Sequence, residues 1–367
     1  MRIALVAPLV TTIAQPFVGG SQALVADLAM GLVARGHEVT MFARAGSVVP
    51  GVHIEPIAVP AQVLPANFSS TSQTSVPDPA FFVQANIFLE LFLQLRHAPF
   101  DIVHTHAFDW PAFTFSALVQ HIPIIHTIHL PAVSAEINQA LRTLHQHGHL
   151  LTLVAVSQAC ARDYEPYTPV DQVIYNGLDL AAIPFAPNTP EQAPLLFAGR
   201  IAPEKGVEQA IEIAEQAGYP LLIAGGVYDE DYYTRRIQPR VQQAEGRVSY
   251  LGSLTHADLW RLMGQCRGLL FPIAWDEPFG LTAVEAMAAG TPVVAFNRGA
   301  AAEVIRHGET GFLTAPGDIT QAVVYTHQLP TISRQYCRQH VRANFSLAHM
   351  LDEHERLYAR LHGRQNA

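Results

Sequence analysis

What this chain lacks narrows its chemistry first. Its three cysteines, Cys160, Cys266 and Cys337, are odd in number, widely spaced and without a Cys-x-x-Cys pair. That argues against a disulfide framework and fits a reducing compartment, so the expected location is cytoplasmic. Charge is sparse, at 14% of residues, and 22 Lys plus Arg against 31 Asp plus Glu leave a net charge of −9 with histidine neutral. Such a chain lacks the broad positive field that nucleic acid or an anionic membrane requires, so nucleic acid is not an expected partner. No run of about 20 apolar residues is present to cross a bilayer, and no integral membrane segment is expected. The most apolar window, 81–95, carries Gln84, Asn86, Glu90 and Gln94 at helical spacing and is expected as an amphipathic core helix. The N-terminal MRIALVAPLV has one basic residue and no small-residue cleavage pattern, and reads as a first strand. Two glycine signatures are also missing, Gly-x-Gly-x-x-Gly and the P-loop. Their absence weakens a dehydrogenase and a P-loop nucleotidase.

What is present is enough for two cores. With 367 residues and 49% hydrophobic composition, burial can offset the entropy lost on folding, and two domains are the default count. Short apolar runs alternate with helical patterns. Strands are expected at 3–7, 39–43, 53–57, 102–105, 124–128, 151–156 and 173–175, then at 195–198, 221–224, 248–251, 269–273 and 293–296. A helix over 21–35 carries Leu24, Leu28 and Leu32 on one face, with Ser21 as its N-cap and Gly36 as its C-cap. This alternation predicts α/β domains with parallel, doubly wound sheets. Residues 59–79 break the rhythm and are expected as a long surface loop. A second break, 183–194, holds four prolines and reads as a linker. The expected domains are 1–176 and 177–345, followed by a terminal helix over 347–361.

In doubly wound sheets, ligands bind beyond the carboxyl ends of the strands. The densest signal there is FPIAWDEPFGLTAVEAMAAGTPVVA, 271–295. A strand ends near Pro272 and a helix begins near Gly280, so the amides of Phe279, Gly280 and Leu281 would form a positive terminus suited to phosphate or a sugar hydroxyl. Glu277 and Glu285 flank that terminus eight positions apart. They either accept hydrogen bonds from vicinal hydroxyls or serve only as a dipole-favouring residue and a solvated helix residue. The second signal, LLFAGRIAPEKG, puts Arg200 directly after a strand and Lys205 at the next helix start, where two cations can clamp a diphosphate. In the first half, Gly19-Gly20 stand between the first strand and its helix, where glycine permits positive φ and a close backbone approach.

Histidines cluster too. Asp101-Ile-Val-His104-Thr-His106 ends a strand, and if the strand stops near Thr105, His106 emerges towards ligand while His104 is buried. His126 and His129 are expected at a strand end and loop, in core or wall roles. His145, His147 and His149 tempt a metal reading, but no carboxylate or cysteine sits at matching spacing, so no metal is expected.

Taken together, these residues resemble the family 4 retaining glycosyltransferases, which have the two-domain GT-B fold. The resemblance rests on Gly-Arg-x4-Lys-Gly at 199–206 and Glu-x7-Glu at 277–285. Further pieces fall in the family's order: Val18-Gly19-Gly20, DIVHTH at 101–106, AVS at 155–157, NGLD at 176–179, GAAAEVIRHGETGFL at 299–313 and AGGVYDEDYYTRRIQP. It spans residue 1 to about 360 and implies two Rossmann-like domains with a cleft between them, and a C-terminal helix, 346–367, that packs back on the N-terminal, acceptor-side domain.

The resemblance also implies site roles. Arg200 and Lys205, with the amides of Gly280 and Leu281, would bind a donor diphosphate. Glu285 would take the ribose hydroxyls, and Glu277 with the Phe279 amide the transferred sugar. Gly19 and Gly20 would touch the donor from the first domain, and His106 would stand near the reactive face of the sugar. Ser21-Gln22 departs from the larger polar or charged pair of many relatives. No cofactor and no metal is implied. The expected partners are a nucleotide-sugar donor, UDP-glucose first and GDP-mannose second, and a small-molecule, glycan or lipid-linked acceptor. Other readings are a non-catalytic nucleotide-sugar-binding relative and an epimerase of the same fold. Phosphorylases of this fold are much longer and carry a Lys-bound pyridoxal cofactor.

Overall fold

The computed structural model describes every residue except 16, 18, 61–78, 150 and 366–367. It divides into two compact units, Met1–Tyr175 with Leu347–Ala367, and Asn176–Ser346.

The first unit is built on seven strands: β1 Arg2–Val6, β2 Glu38–Arg44, β3 His53–Ile57, β4 Ile102–Thr105, β5 Ile124–Ile128, β6 Leu151–Ala155 and β7 Gln172–Val173. Their order is β3-β2-β1-β4-β5-β6-β7, and every pair is parallel. The chain first builds outward from β1 through β2 to β3, then crosses to place β4 on the other side of β1. That reversal makes the ends of β1 and β4 the switch point of the sheet, where a doubly wound fold opens a crevice.

Layers cover both faces, which is why the central strands are continuous apolar runs rather than alternating ones. On one face Ile3 and Leu5 pack with Leu24, Leu28 and Leu32 of the helix Gly20–Ala34 and with Met350, Leu357 and Tyr358 of the terminal helix. On the other, Ala4 and Val6 meet Phe88, Phe92 and Leu95 of the helix Pro79–Leu95. The terminal helix Leu347–Gln365 therefore belongs to the first unit. Leu351 lies where a Cβ on Gly31 would come within 2.5 Å of it. Arg35 pairs with Asp352 at 2.7 Å and Glu355 at 2.5 Å.

The second unit repeats the plan with six strands: β8 Leu195–Ala198, β9 Leu221–Ala224, β10 Val248–Gly252, β11 Gly268–Phe271, β12 Val293–Phe296 and β13 Gly311–Thr314, ordered β10-β9-β8-β11-β12-β13. Its switch point lies between β8 and β11, the two strands that lead into the segments holding Arg200 and Glu277.

Several expectations change. Gly19, not Ser21, is the N-cap of the first helix, because the helix starts at Gly20 and Ser21 already lies in its first turn. The 81–95 helix is a core element in its second half only, since Phe82 is 54% exposed while Phe88 and Phe92 are fully buried. The 183–194 stretch is no free linker. Ile183, Ala193 and the Ala186 backbone are held inside the second unit, Ala186 donating to Ala289 O at 3.0 Å and accepting from Arg334 at 2.8 Å. β13 was not expected as a strand, and it closes the sheet edge beside β12. Of the expected 59–79 loop, 61–78 lie outside the described residues. Among the described residues no helix is long and apolar enough to cross a membrane.

Candidate active site

Two loops at the second switch point are drawn together by glycine. Gly206 has φ +76°, and a Cβ there would lie 1.9 Å from Pro272 O, so only glycine lets the β8 loop approach the β11 loop this closely. The Ala274 amide then donates to Glu204 O at 2.9 Å, fixing the two loops side by side. Gly299 plays the same part behind Glu277: a Cβ would come within 2.4 Å of Glu277 O, and the Ala300 amide donates to that oxygen at 3.0 Å.

This approach brings Lys205 to Glu277. The ammonium donates to Oε2 at 2.6 Å, with both side chains mostly withdrawn from solvent. The Trp275 indole donates to the same oxygen at 2.5 Å, and the Lys205 ammonium lies 5.0 Å from the centre of the Trp275 ring. Arg200 also has an aromatic seat, 4.4 Å above the Tyr228 ring, and stands 3.7 Å from Glu204. Its side chain is 41% exposed, so the guanidinium keeps donors for a ligand.

Beyond Glu277, Gly280 caps the helix Leu281–Ala288 with φ +89°. The helix dipole adds positive potential at that end. Glu285 is not a solvated helix residue. It is buried, and the Trp260 indole donates to its Oε1 at 3.1 Å. Trp260 is stacked on His256, with ring centres 5.4 Å apart. Two of the chain's three tryptophans thus hold the two candidate carboxylates.

The first-unit candidates lie at the other switch point. Gly19 is extended, with φ −155°, so the positive φ expected there is not used, and a Cβ would meet only the flexible end of Gln22. Gln22 itself is buried and donates to Thr11 at 2.7 Å. His106 does not emerge into solvent but is 1% exposed. β4 ends at Thr105, yet the His106 amide still donates to Val6 O at 2.8 Å. One further residue in register keeps its ring on the same face as His104, with centres 4.2 Å apart.

Around them is a buried imidazole cluster. His104 bridges Tyr358 and Thr127, each at 2.7 Å, and His106 Nδ1 meets His129 Nε2 at 2.9 Å. His126 stacks on Phe113, and neither of its ring nitrogens has a partner among the described residues. Burial disfavours the charged form, so His104 and His106 are held well below the usual imidazole range, His126 and His354 fall to about 3 and His129 to about 4.

Among the described residues no three His, Cys, Asp or Glu side chains are arranged to hold a metal ion, at His145, His147 and His149 or elsewhere. The sequence does hold one Asp-x-Asp triplet, 229–231, the bridge that metal-dependent transferases place on a diphosphate. Here Asp229 caps a helical turn by accepting from the Tyr232 amide at 2.9 Å, and Asp231 points outward to Arg235 at 3.4 Å.

With this geometry in hand, two family models divide the chain. "Glycosyltransferase Family 4" matches residues 18–182, and "Glycosyl transferases group 1" matches 182–337. The chain belongs to glycosyltransferase family 4. Among curated relatives it is 29% identical to a glycogen synthase of Mycobacterium tuberculosis, covering 82% of this chain and 80% of that one. A D-inositol 3-phosphate glycosyltransferase of Mycobacterium marinum is 27% identical, with coverage of 87% and 76%. In fold, this glycosyltransferase is similar to a sucrose-phosphate synthase from Thermosynechococcus elongatus, with TM-score 0.79, 21% identity and 99% of each chain covered. HepE of Anabaena, solved with UDP and glucose, gives TM-score 0.74 at 19% identity over 98% of this chain and 99% of that one. The GT-B fold of the family is thus the fold of this glycosyltransferase.

Three residues of this glycosyltransferase escaped the sequence reading: Trp275, Tyr228 and Trp260. Trp275 and Tyr228 stand inside segments singled out above, but spacing says nothing about which ring lies under which cation. Trp260 sits on the helix His256–Gln265, which carried no motif.

Proposed function

We propose that this chain transfers a hexose from a nucleoside diphosphate sugar to an acceptor hydroxyl with retention at the anomeric carbon. The observation that carries the reading is the Lys205–Glu277 pair at the β8/β11 switch point, beside the open amides of the helix Leu281–Ala288. Three ammonium donors leave Lys205 able to hold phosphate oxygens while one proton stays on Glu277. Arg200 adds a second cation. As the bond from the anomeric carbon to the phosphate oxygen breaks, negative charge grows on the leaving diphosphate. Arg200, Lys205 and the helix terminus oppose that charge where it develops. The positive groups are the chain's own, so the reaction we propose runs without metal or other cofactor.

Glu277 accepts from hydroxyls of the transferred sugar and Glu285 from the ribose. With Glu277 so engaged, we assign no carboxylate nucleophile. The acceptor oxygen attaches on the face the phosphate leaves, and its proton passes to the departing phosphate oxygen. UDP-glucose is the first donor to try, supported by UDP and UDP-glucose in the HepE structures, and GDP-mannose the second.

The test is a thermal-shift screen of the protein in EDTA against UDP, GDP and their sugar conjugates. A ligand at a hundred times its dissociation constant adds about 2.7 kcal/mol of stability. A rise selective for one base supports the reading and names the nucleotide. No rise with any of them overturns it.

A further inference from the structure

Trp275 has no role in the reading above, although it touches both residues that carry it. Its indole N–H donates at 2.5 Å to the Glu277 oxygen that Lys205 approaches at 2.6 Å, and its ring faces the Lys205 ammonium at 5.0 Å. Both donors converge on Oε2. Among the described residues, Oε1 of Glu277 accepts no hydrogen bond. A carboxylate clamped at one oxygen can no longer rotate freely, and its second oxygen becomes the acceptor that a ligand meets. Without the indole, Lys205 alone would have to orient Glu277 while also turning donors towards phosphate.

We propose that Trp275 is a positioning residue that presets this site. Its N–H fixes Glu277 so that Oε1 faces the sugar hydroxyls, and its ring seats the Lys205 ammonium so that the cation is in place before a diphosphate arrives. The two halves of the side chain therefore serve two parts of one donor: the N–H serves sugar recognition, and the π face serves phosphate recognition through a cation–π contact. This inference rests on the donor reading above for its ligand, though the pairing itself does not.

The chain offers a clean probe. Lys205 is its one lysine, so protein grown on lysine labelled with 13C at Cε gives a single signal from the site. In nucleotide-free protein, Trp275→Leu is expected to move that signal by removing the ring current, whereas Trp275→Phe keeps a ring beneath the ammonium and retains most of the shift. An unmoved Lys205 signal in Trp275→Leu would overturn the seat. For binding, Trp275→Phe is expected to weaken UDP-glucose about tenfold, the scale of one hydrogen bond to a charged group, while UDP stays within about twofold. Equal loss for both ligands, which a merely structural role would give, overturns the orienting role. If the wild-type Lys205 signal responds to GDP rather than UDP, GDP-mannose and GDP replace the pair in the same comparison. A wild-type signal that responds to neither nucleotide removes the donor reading and the sugar-facing assignment with it. The Trp275→Leu shift in free protein still decides the pairing on its own.

Discussion

The two switch points of this molecule have the same topology and opposite chemistry. In the first unit, the β1 and β4 ends meet beside a cluster of imidazoles, with His104, His106, His126 and His354 buried and His129 half-buried. In the second, the segments that follow β8 and β11 bring together a lysine, an arginine and a carboxylate, each ion held by an aromatic neighbour. Both crevices are built by the same right-handed parallel winding, so the fold does not choose the chemistry. Burial and pairing do. Burial disfavours the charged form of the imidazoles, whereas the mostly buried Lys205 and Glu277 are paired with each other and with the Trp275 indole.

Acid should break the symmetry of stability between the units, and this is the largest effect expected. His126, His129 and His354 have folded values of about 3 to 4, below the unfolded value near 6.5. Below that value the unfolded chain binds more protons than the native one, so stability present above pH 6.5 is lost as pH falls towards 4. Between pH 6.5 and 5 each such histidine costs about 2 kcal/mol. Asp109 works the other way: burial pushes its carboxyl up to about 6, so it binds its proton early in the native state and offsets part of the loss. The net expected for the first unit is several kcal/mol, a large share of the roughly 5–15 kcal/mol that holds a typical domain. Of the histidines described in the second unit, only His256 and His340 are displaced in the same direction. Hydrogen exchange at pH 5 should therefore show the amides of β4–β6 losing far more protection than those of β8–β12. Equal losses would mean the imidazole cluster is not what separates the units.

The charged crevice is tested by removing its cation. Lys205→Ala should lower turnover of the nucleotide sugar at least ~10²-fold, the scale of losing one charge-stabilising donor. Its melting temperature should change little, because Glu277 keeps the Trp275 indole. Near-normal turnover would mean that Lys205 only pairs with Glu277 and that the anion site lies elsewhere.

Much of this was legible in the sequence, for definable reasons. Buried parallel strands are near-continuous runs of branched and aromatic residues, so Ile124–Ile128 or Val293–Phe296 could be placed within a residue or two. β13 was not, because Gly-Phe-Leu-Thr is short and opens on a residue that usually weakens strands; its Gly311 is needed since a Cβ there would lie 2.2 Å from Val293 O. Lys205 and Glu277 stood out by position after strands, and Gly206 is the residue that lets them meet. His106 was misjudged because one backbone hydrogen bond beyond the strand decides which way its ring turns. The proline-rich 183–194 stretch looked like a linker because prolines cannot reveal that Arg334 gathers the carbonyl of Ala186. Contacts made by a side chain from a distant helix leave no local trace, and Trp260 is the case in point.

Trp260 also gives the mildest and most discriminating comparison. Its indole reaches Glu285 across 25 residues of sequence, as Trp275 reaches Glu277 across two. If the two tryptophans do parallel work, Trp260→Phe should weaken binding of the nucleotide through its ribose about five- to tenfold, the scale of one net hydrogen bond. Because ribose is common to UDP and UDP-glucose, both should weaken by the same factor, unlike the sugar-selective loss expected from Trp275→Phe. Calorimetric titration of the two variants with the same two ligands separates the cases. A sugar-selective loss in Trp260→Phe would place Glu285 at the transferred sugar instead, and the assignments of the two carboxylates would have to be exchanged.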